Sequence, residues 1–381
     1  MDFNLTENNL EIQKLARDFA QNKIAPDVMK YDETSEFPWA LAKELGEMGF
    51  MGILFPEEYE GSALTTVDYA IIVEEISKAD PSLGLTVASH NGLCTNHIYT
   101  FSNEELKKKY IPDLASGRKL GAWGLTENVS GSDAAAMNTT AVKEGDYYII
   151  NGSKSFITQG GVGETAVVTA VTDKSKGSKG ISAFVVEKAF EGFSVGKKEN
   201  KLGMRSSDTC ELIFDNCKVP AENLIGNEGE GFRQCMQILD GGRISIAALS
   251  VGIAQAAMDH SIKYAKQRKQ FGKSLSEFQG IQFKIADMAT EIEAARLLTL
   301  KAAKMKDEGK DFKTEASMAK YYASEIATKA TNEAVQIHGG YGFIKEFPVE
   351  KLYRDVKLTT IGEGTSEVQK MLITRALIEK Y

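Results

Sequence analysis

Glu363 stands between two glycines in Thr360-Ile361-Gly362-Glu363-Gly364-Thr365-Ser366-Glu367. Glycines lack the Cβ atoms that would keep another molecule away from the chain, and Thr365 or Ser366 can cap the following helical pattern Val368, Leu372, Ile373, Ala376. A carboxylate on such bare backbone can take a proton from a bound molecule, the work of a general base. The same octapeptide also fits an ordinary loop acid at a helix N-terminus.

Three other segments carry groups suited to ligand binding. Gly124-Leu125-Thr126-Glu127-Asn128-Val129-Ser130-Gly131-Ser132-Asp133-Ala134-Ala135-Ala136 gathers hydroxyls, acids and a glycine. Its N–H and O–H donors could grip a phosphate or the edge of a heterocycle, or form a plain Ser/Asp turn. Gln336-Ile337-His338-Gly339-Gly340-Tyr341-Gly342-Phe343 has three glycines in four positions, which exposes backbone to something flat or anionic, although a helix C-cap explains part of it. Gln267-Arg268-Lys269-Gln270-Phe271-Gly272-Lys273, with Gln279 beyond, is either a further ligand contact or a solvated basic turn.

Other chemistries are excluded. Gly161 to Ala166 fits GxGxxA by letter, but a β-rich run follows where a dinucleotide fingerprint needs a helix. Cys94, Cys210, Cys217 and Cys235 form no CxxC pair, and His90, His97, His260 and His338 never fall at HExxH spacing, so neither a disulfide framework nor a metal site is expected.

These segments must be positioned by 381 residues, more than one hydrophobic core sustains. The expected class is α+β, in three parts. Residues 1–118 read as an N-terminal helical domain, with Leu10, Ile12, Leu15, Ala16 and Phe19 on one helical face and Leu41, Ala42, Leu45 and Met48 on another after Pro38. Residues 119–228 read as a central antiparallel β-domain, with runs at Tyr147–Ile150, Ala166–Val171, Ile181–Val186 and Glu211–Phe214 and a hairpin turn at Glu144-Gly145-Asp146. Residues 229–381 read as a C-terminal four-helix bundle, with a stripe at Ile285, Met288, Ile292, Ala295, Ala302 and another at Ala316, Ala319, Ala323, Ala327.

The formal net charge of −8, with signs mixed along the chain, argues against nucleic acid. The composition, 43% hydrophobic and 26% charged, is that of a globular protein, and no apolar run suggests a membrane span. Met1-Asp2-Phe3-Asn4 opens with an acid and has no secretory pattern, so the expectation is a cytoplasmic protein or one whose targeting segment lies outside this chain.

Gly124 to Ala136 and Gln336 to Asp355 fit, position by position, the two sequence signatures of the acyl-CoA dehydrogenases. Gln267 to Gly272, Asn151 to Gly161 and Leu239 to Arg243 also resemble that family. The likeness spans essentially the whole chain in the same domain order and lies nearest the short-chain, butyryl-CoA dehydrogenase-like branch. It implies noncovalent FAD held between the β-domain and the bundle. In similar proteins the residues matching Leu125, Thr126, Gly131 and Ser132 contact flavin, and those matching Phe156, Ile157 and Thr158 cover its other side. Phe156 stands where many relatives carry tryptophan, and it keeps an aromatic face. Positions like Arg268, Phe271, Gln279, Gln336 and Gly340 reach the FAD of a neighbouring subunit in the family, which implies a homotetramer built as a dimer of dimers. Thr365 and Glu367 match residues at the adenosine side of the cofactor, while Ser132, Asp240 and Arg243 match positions that meet CoA.

The implied activity is α,β-dehydrogenation of an acyl-CoA. Glu363 removes the α-proton, the β-hydrogen leaves as hydride to flavin N5, and electrons pass to an electron-transfer flavoprotein. One branch of the family carries its base at the position of Gly242, and glycine cannot serve, so Glu363 is the sole candidate. Many straight-chain members carry tyrosine where this chain has Gly362. Either another side chain fills that space or the acyl pocket accepts a bulkier, branched or aryl group. The runner-up is an enoyl-CoA or caffeyl-CoA reductase in an electron-bifurcating complex with electron-transfer flavoprotein. A binding protein that has lost redox function and an acyl-CoA oxidase, whose relatives add a C-terminal domain beyond the point where this chain stops at Tyr381, are less expected.

Overall fold

The computed structural model describes residues 4–380, so Met1 to Phe3 of the N-terminal reading, and Tyr381, lie outside the described residues. The first part is helical: α1 (Glu7–Phe19), α2 (Val28–Thr34), α3 (Trp39–Glu47), α4 (Thr66–Ala79), α5 (Pro81–Ser89), α6 (Asn96–Phe101) and α7 (Glu104–Ala115). Capping boxes at Thr6 with Asn9 and at Thr65 with Asp68 set the starts of α1 and α4. A π-helical stretch, His90–Thr95, joins α5 to α6.

The apolar face of α1 is narrower than its composition suggests. Ala16 and Phe19 are buried, but Leu10 and Leu15 are each 51% exposed. At about 100° per residue, Leu10 lies roughly 160° around the helix from Ile12, away from the face that packs on α4.

The middle part is one sheet of β1 (Gly121–Gly124), β2 (Thr140–Glu144), β3 (Tyr147–Thr158), β4 (Thr165–Val171), β5 (Ile181–Glu187), β6 (Phe193–Lys198) and β7 (Thr209–Pro220). Its order is β1-β4-β2-β3-β7-β6, with β5 also paired to β4. Antiparallel pairing holds for β2–β3, β3–β7, β4–β5 and β6–β7, whereas β1 and the end of β2 lie parallel to β4. The parallel pairing needs a long crossover, which the loop after β1 and the β2–β3 hairpin supply. Gly145, at φ +59, makes the hairpin turn between Glu144 and Tyr147.

The last part contains α8 (Gly231–Gln267), α9 (Gln279–Asp307), α10 (Lys313–His338), α11 (Val349–Asp355) and α12 (Ser366–Lys380). Helices α8, α9 and α10 pack on one another and α12 packs on α10. The predicted alanine stripe Ala316, Ala319, Ala323, Ala327 is fully buried, letting helix backbones approach closely. Helix α8 is apolar and long enough to cross a membrane, but 89% of its most apolar stretch is buried inside the protein, as befits a core helix gripped by α4, α5, α9 and α10.

Candidate active site

After α11 the chain turns through a 3₁₀ segment, Val356–Thr360, and the N–H groups of Ile361 and Gly362 both donate to the Leu358 carbonyl, at 2.9 and 2.8 Å. Glu363 and Gly364 then adopt φ +53 and +92. Left-handed backbone at glutamate costs on the order of 1 kcal/mol and must be held by its surroundings. Two buried side chains hold it. Lys320 Nζ donates to the Gly364 carbonyl at 2.7 Å, and Gln369 Nε2 donates to the carbonyls of Gly364 at 3.0 Å and Glu363 at 3.3 Å. Thr365 Oγ1 accepts the Val368 N–H at 3.3 Å and so caps α12, while Ser366 Oγ donates to Glu325 at 2.6 Å.

This turn drives the Glu363 carboxylate against α8 at Gly242. A Cβ at position 242 would lie 1.9 Å from Glu363 Oε2, so any side chain there would displace the carboxylate from this position. Oε2 is buried and has no hydrogen-bond partner among the described residues. Leu93, of the π-helical stretch, borders the same spot. Tyr69, buried on α4, donates its hydroxyl to the Ala88 carbonyl at 2.6 Å and lies beside Gly92.

Two cations face this carboxylate. Lys320 comes from α10 and is fully buried, and Arg243 comes from α8, where its Nη1 donates to Asp240 at 2.6 Å while its Nε is buried without a partner among the described residues. Burial pushes the Glu363 carboxyl up to about 7, against the pull of Lys320 and Arg243. Burial also lowers the Lys320 ammonium to about 8, opposed by the nearby Glu363 charge. Asp240 is raised by burial despite Arg243. A carboxyl that changes charge near neutral pH, in a spot shielded from water, has the properties of a proton acceptor.

The loop after β1 and strand β3 form a second feature. Leu125 is buried, Thr126 half-buried, and the Thr126 carbonyl accepts the Ser155 N–H at 2.8 Å. Glu127 is buried and fixes the loop by accepting the N–H groups of Asn138 at 2.6 Å and Thr139 at 3.1 Å and the Lys154 ammonium at 2.7 Å. Beside it, the β3–β7 register shifts between Lys154 and Ile157, and Phe156 takes φ +59 with 64% of its surface exposed. Ile157 is buried and Thr158 half-buried. Gly131 and Ser132 are exposed, and a Cβ on Gly131 would meet nothing within 4 Å. An aromatic ring turned outward beside open loop backbone fits a flat partner such as a flavin. The loop packs through Leu125 and Met137 onto Cys235, Met236 and Leu239 of α8, next to Asp240.

A third group lies elsewhere. Arg268, Phe271, Gln279, Gln336 and Gly340 collect at the ends of α8 and α10 and the start of α9, and all are exposed. The Arg268 guanidinium lies 5.4 Å from the Tyr341 ring centre, and Phe271 is 94% exposed. Along α8 this end is about 25 residues from Gly242, on the order of 37 Å. Thus Gly362, Glu363 and Thr365 share one turn, packed close to Arg243 and its partner Asp240, while the basic and glycine-rich segments face outward at the bundle's far end. Glu367 is exposed in the first turn of α12, where its own backbone N–H and the Thr365 hydroxyl hold its carboxyl below the usual range.

Sequence reasoning missed Lys320, Gln369 and Tyr69. A signal for Lys320 was present: it is a lysine set among Ala316, Ala319, Ala323 and Ala327, at helical spacing on a buried face. Among the described residues no His, Cys, Asp and Glu cluster could hold a metal ion.

Comparison with known proteins covers all three parts. Family models described as the N-terminal, middle and C-terminal domains of acyl-CoA dehydrogenase match residues 6–118, 122–217 and 229–378. The chain is 50% identical over 374 residues to a short-chain specific acyl-CoA dehydrogenase of Clostridium acetobutylicum, covering 98% of this chain and 99% of that protein. It is 46% identical over 376 residues to the caffeyl-CoA reductase-Etf complex subunit CarC of Acetobacterium woodii, covering 98% and 99%. The solved structure of butyryl-CoA dehydrogenase from Megasphaera elsdenii superposes with a TM-score of 0.98 at 48% identity, over 99% of this chain and 100% of that one.

Proposed function

The chain belongs to the acyl-CoA dehydrogenase family, whose members are flavoproteins, and on that premise we propose that it is an FAD-dependent enzyme interconverting a short-chain or small branched or aryl acyl-CoA with its enoyl-CoA. The observation that carries this reading is the buried, unpartnered Oε2 of Glu363, facing a position on α8 that has no side chain. Glu363 takes the α-proton. The α-hydrogen of a thioester is only weakly acidic, so the base must work close to its own protonation midpoint, and burial places Glu363 there, at about 7. General-base catalysis of this kind contributes about 10² to 10⁴-fold. The Glu363 N–H makes no hydrogen bond with any described residue and is free to meet the thioester oxygen as negative charge develops on it.

FAD, when bound, accepts the β-hydrogen as hydride. The residues to hold it are Leu125, Thr126, Gly131 and Ser132 on one side and Phe156, Ile157 and Thr158 on the other, with Thr365 and Glu367 toward the adenosine. Their fit rests on the outward Phe156 ring and the open backbone at Gly131. Arg268, Phe271, Gln279, Gln336 and Gly340 serve the FAD of a neighbouring subunit in a homotetramer, which suits their distance from Glu363 in their own chain. Ser132, Asp240 and Arg243 serve the CoA portion.

Glu363→Gln tests the assignment. It keeps the yellow flavin absorbance and CoA-thioester binding and loses turnover by at least about 10²-fold. Undiminished turnover in that variant refutes the role of Glu363. Electron-transfer flavoprotein is the redox partner. A second reading, in which the physiological direction is reduction of an enoyl-CoA or caffeyl-CoA in a bifurcating complex with that partner, is favoured by the likeness to the caffeyl-CoA reductase subunit. Co-purification with flavoprotein subunits and NADH-driven reduction of crotonyl-CoA or caffeyl-CoA select it; isolation as a plain homotetramer selects the dehydrogenase.

A further inference from the structure

Lys320 is fully buried in the middle of α10, and its ammonium is not within salt-bridge distance of any acid among the described residues. Its one hydrogen-bond acceptor among the described residues is the carbonyl of Gly364, the residue after the base, at 2.7 Å. A buried cation paired only with a carbonyl costs stability, and the alanines around it on α10 would accept an apolar side chain in its place. What it gains is position: it grips the left-handed turn that aims Glu363 at Gly242, and it places a positive charge beside a carboxylate whose Oε2 has no partner.

We propose that Lys320 is a positioning residue for the base, fixing the Glu363–Gly364 turn and favouring the ionised carboxylate that receives the proton. This inference rests on the reading of Glu363 as the base. The charged and titratable groups facing Glu363 are Lys320 on α10, Arg243 on α8 and Tyr69 on α4, with Asp240 behind Arg243. Glu325 on α10 and Glu367 on α12 also act on the Lys320 charge. Arg243 already engages Asp240, so Lys320 is the cation whose charge is left to Glu363. Gln369 shares the grip on the turn and contributes no charge, so loss of Lys320 loosens the turn only in part while it removes the counter-charge of the carboxylate.

The experiment compares the FAD-loaded parent enzyme with Lys320→Met and Lys320→Arg. In Lys320→Met the acid limb of kcat for acyl-CoA oxidation moves upward by about one pH unit, so that turnover falls about tenfold near pH 6.5 and approaches the parent value near pH 9. Lys320→Arg restores the limb. Infrared absorption of the protonated carboxyl, isolated by subtracting Glu363→Gln, gives the same titration without turnover. A Lys320→Met enzyme whose thermal stability or flavin content changes while both titrations stay at the parent pH overturns the proposal. If the parent oxidises no acyl thioester, the functional reading fails by itself, and the infrared titration still decides whether Lys320 governs Glu363.

Discussion

Lys320 and Lys351 are both buried among the C-terminal helices, yet Lys351 Nζ lies 2.9 Å from Asp80 and 2.5 Å from Asp355, whereas Lys320 bonds, among the described residues, to a carbonyl alone. Around Lys351, Asp355 also accepts the Met204 N–H and Asp80 accepts the Ser206 hydroxyl at 3.4 Å. That cluster therefore ties the α4–α5 junction, the loop before β7 and α11 into one body. Burial alone would lower the Lys351 ammonium, but its two carboxylates outweigh it and raise it above the ordinary lysine value. At Lys320 burial prevails, and the ammonium is lowered to about 8. The difference separates two uses of buried charge. A fully paired cluster fixes how parts of the chain join, while a cluster with an unpartnered Glu363 Oε2 and Arg243 Nε keeps charges available to a ligand.

The largest effect is expected at the paired cluster. Lys351→Met leaves Asp80 and Asp355 buried without their cation, and breaking a buried pair in this way costs about 3–5 kcal/mol. Denaturant unfolding should show that loss, with the midpoint falling steeply. A loss under about 1 kcal/mol would erase the distinction between the two clusters.

A smaller effect of opposite sign is expected at the unpaired cluster. The Glu363 carboxyl is raised from the ordinary 4.5 to about 7 in the folded protein, so the folded state holds this proton more tightly than the unfolded chain. Its contribution to stability is fully present below pH 4.5 and is lost as pH rises through about 7. Glu363→Gln removes that dependence. At pH 8 the variant should be more stable than the parent by roughly 2 kcal/mol, allowing for solvent reaching part of the residue, and the gap should narrow as pH falls and close only below pH 4.5. Thermal melts across that range decide it; a gap that does not vary with pH would show that the Glu363 charge is not the source of the cost.

How much of this was legible in the sequence depends on the range of the interaction. The order of helical, sheet and helical parts followed from local periodicity, and the glycines around Glu363 announced a tight turn, which the structure forms in left-handed geometry. The parallel pairing of β1 with β4 was not legible, because it is set by a crossover of about 40 residues rather than by either strand. Leu10 and Leu15 have core composition but meet no core among the described residues. Lys320 was hidden for another reason: a charged residue on an alanine face reads as an exception to the pattern until its acceptor, 44 residues away in sequence, is brought to it. The outward turn of Phe156 likewise needs the register shift between β3 and β7, which neither strand encodes alone.

The smallest effect is expected at Gly362, beside Glu363. Its φ lies outside the left-handed region, and the nearest atoms to a Cβ there belong to Leu358, its carbonyl oxygen at 3.4 Å and its Cδ1 at 3.6 Å, which are ordinary or nearly ordinary contacts. This position does not require glycine, so a side chain can be placed in the space it leaves open. Gly362→Tyr should therefore fold with stability close to the parent. If that space receives the acyl chain, the variant keeps activity toward butyryl-CoA and loses about tenfold in kcat/KM toward branched or phenylpropionyl thioesters, the scale on which a hydrophobic pocket discriminates by size. Equal losses for all thioesters would mean that another side chain already fills this space and that the new ring disturbs Glu363 itself. The two patterns are separable because a steric filter acts on the substrate series, whereas a displaced base acts on every substrate alike.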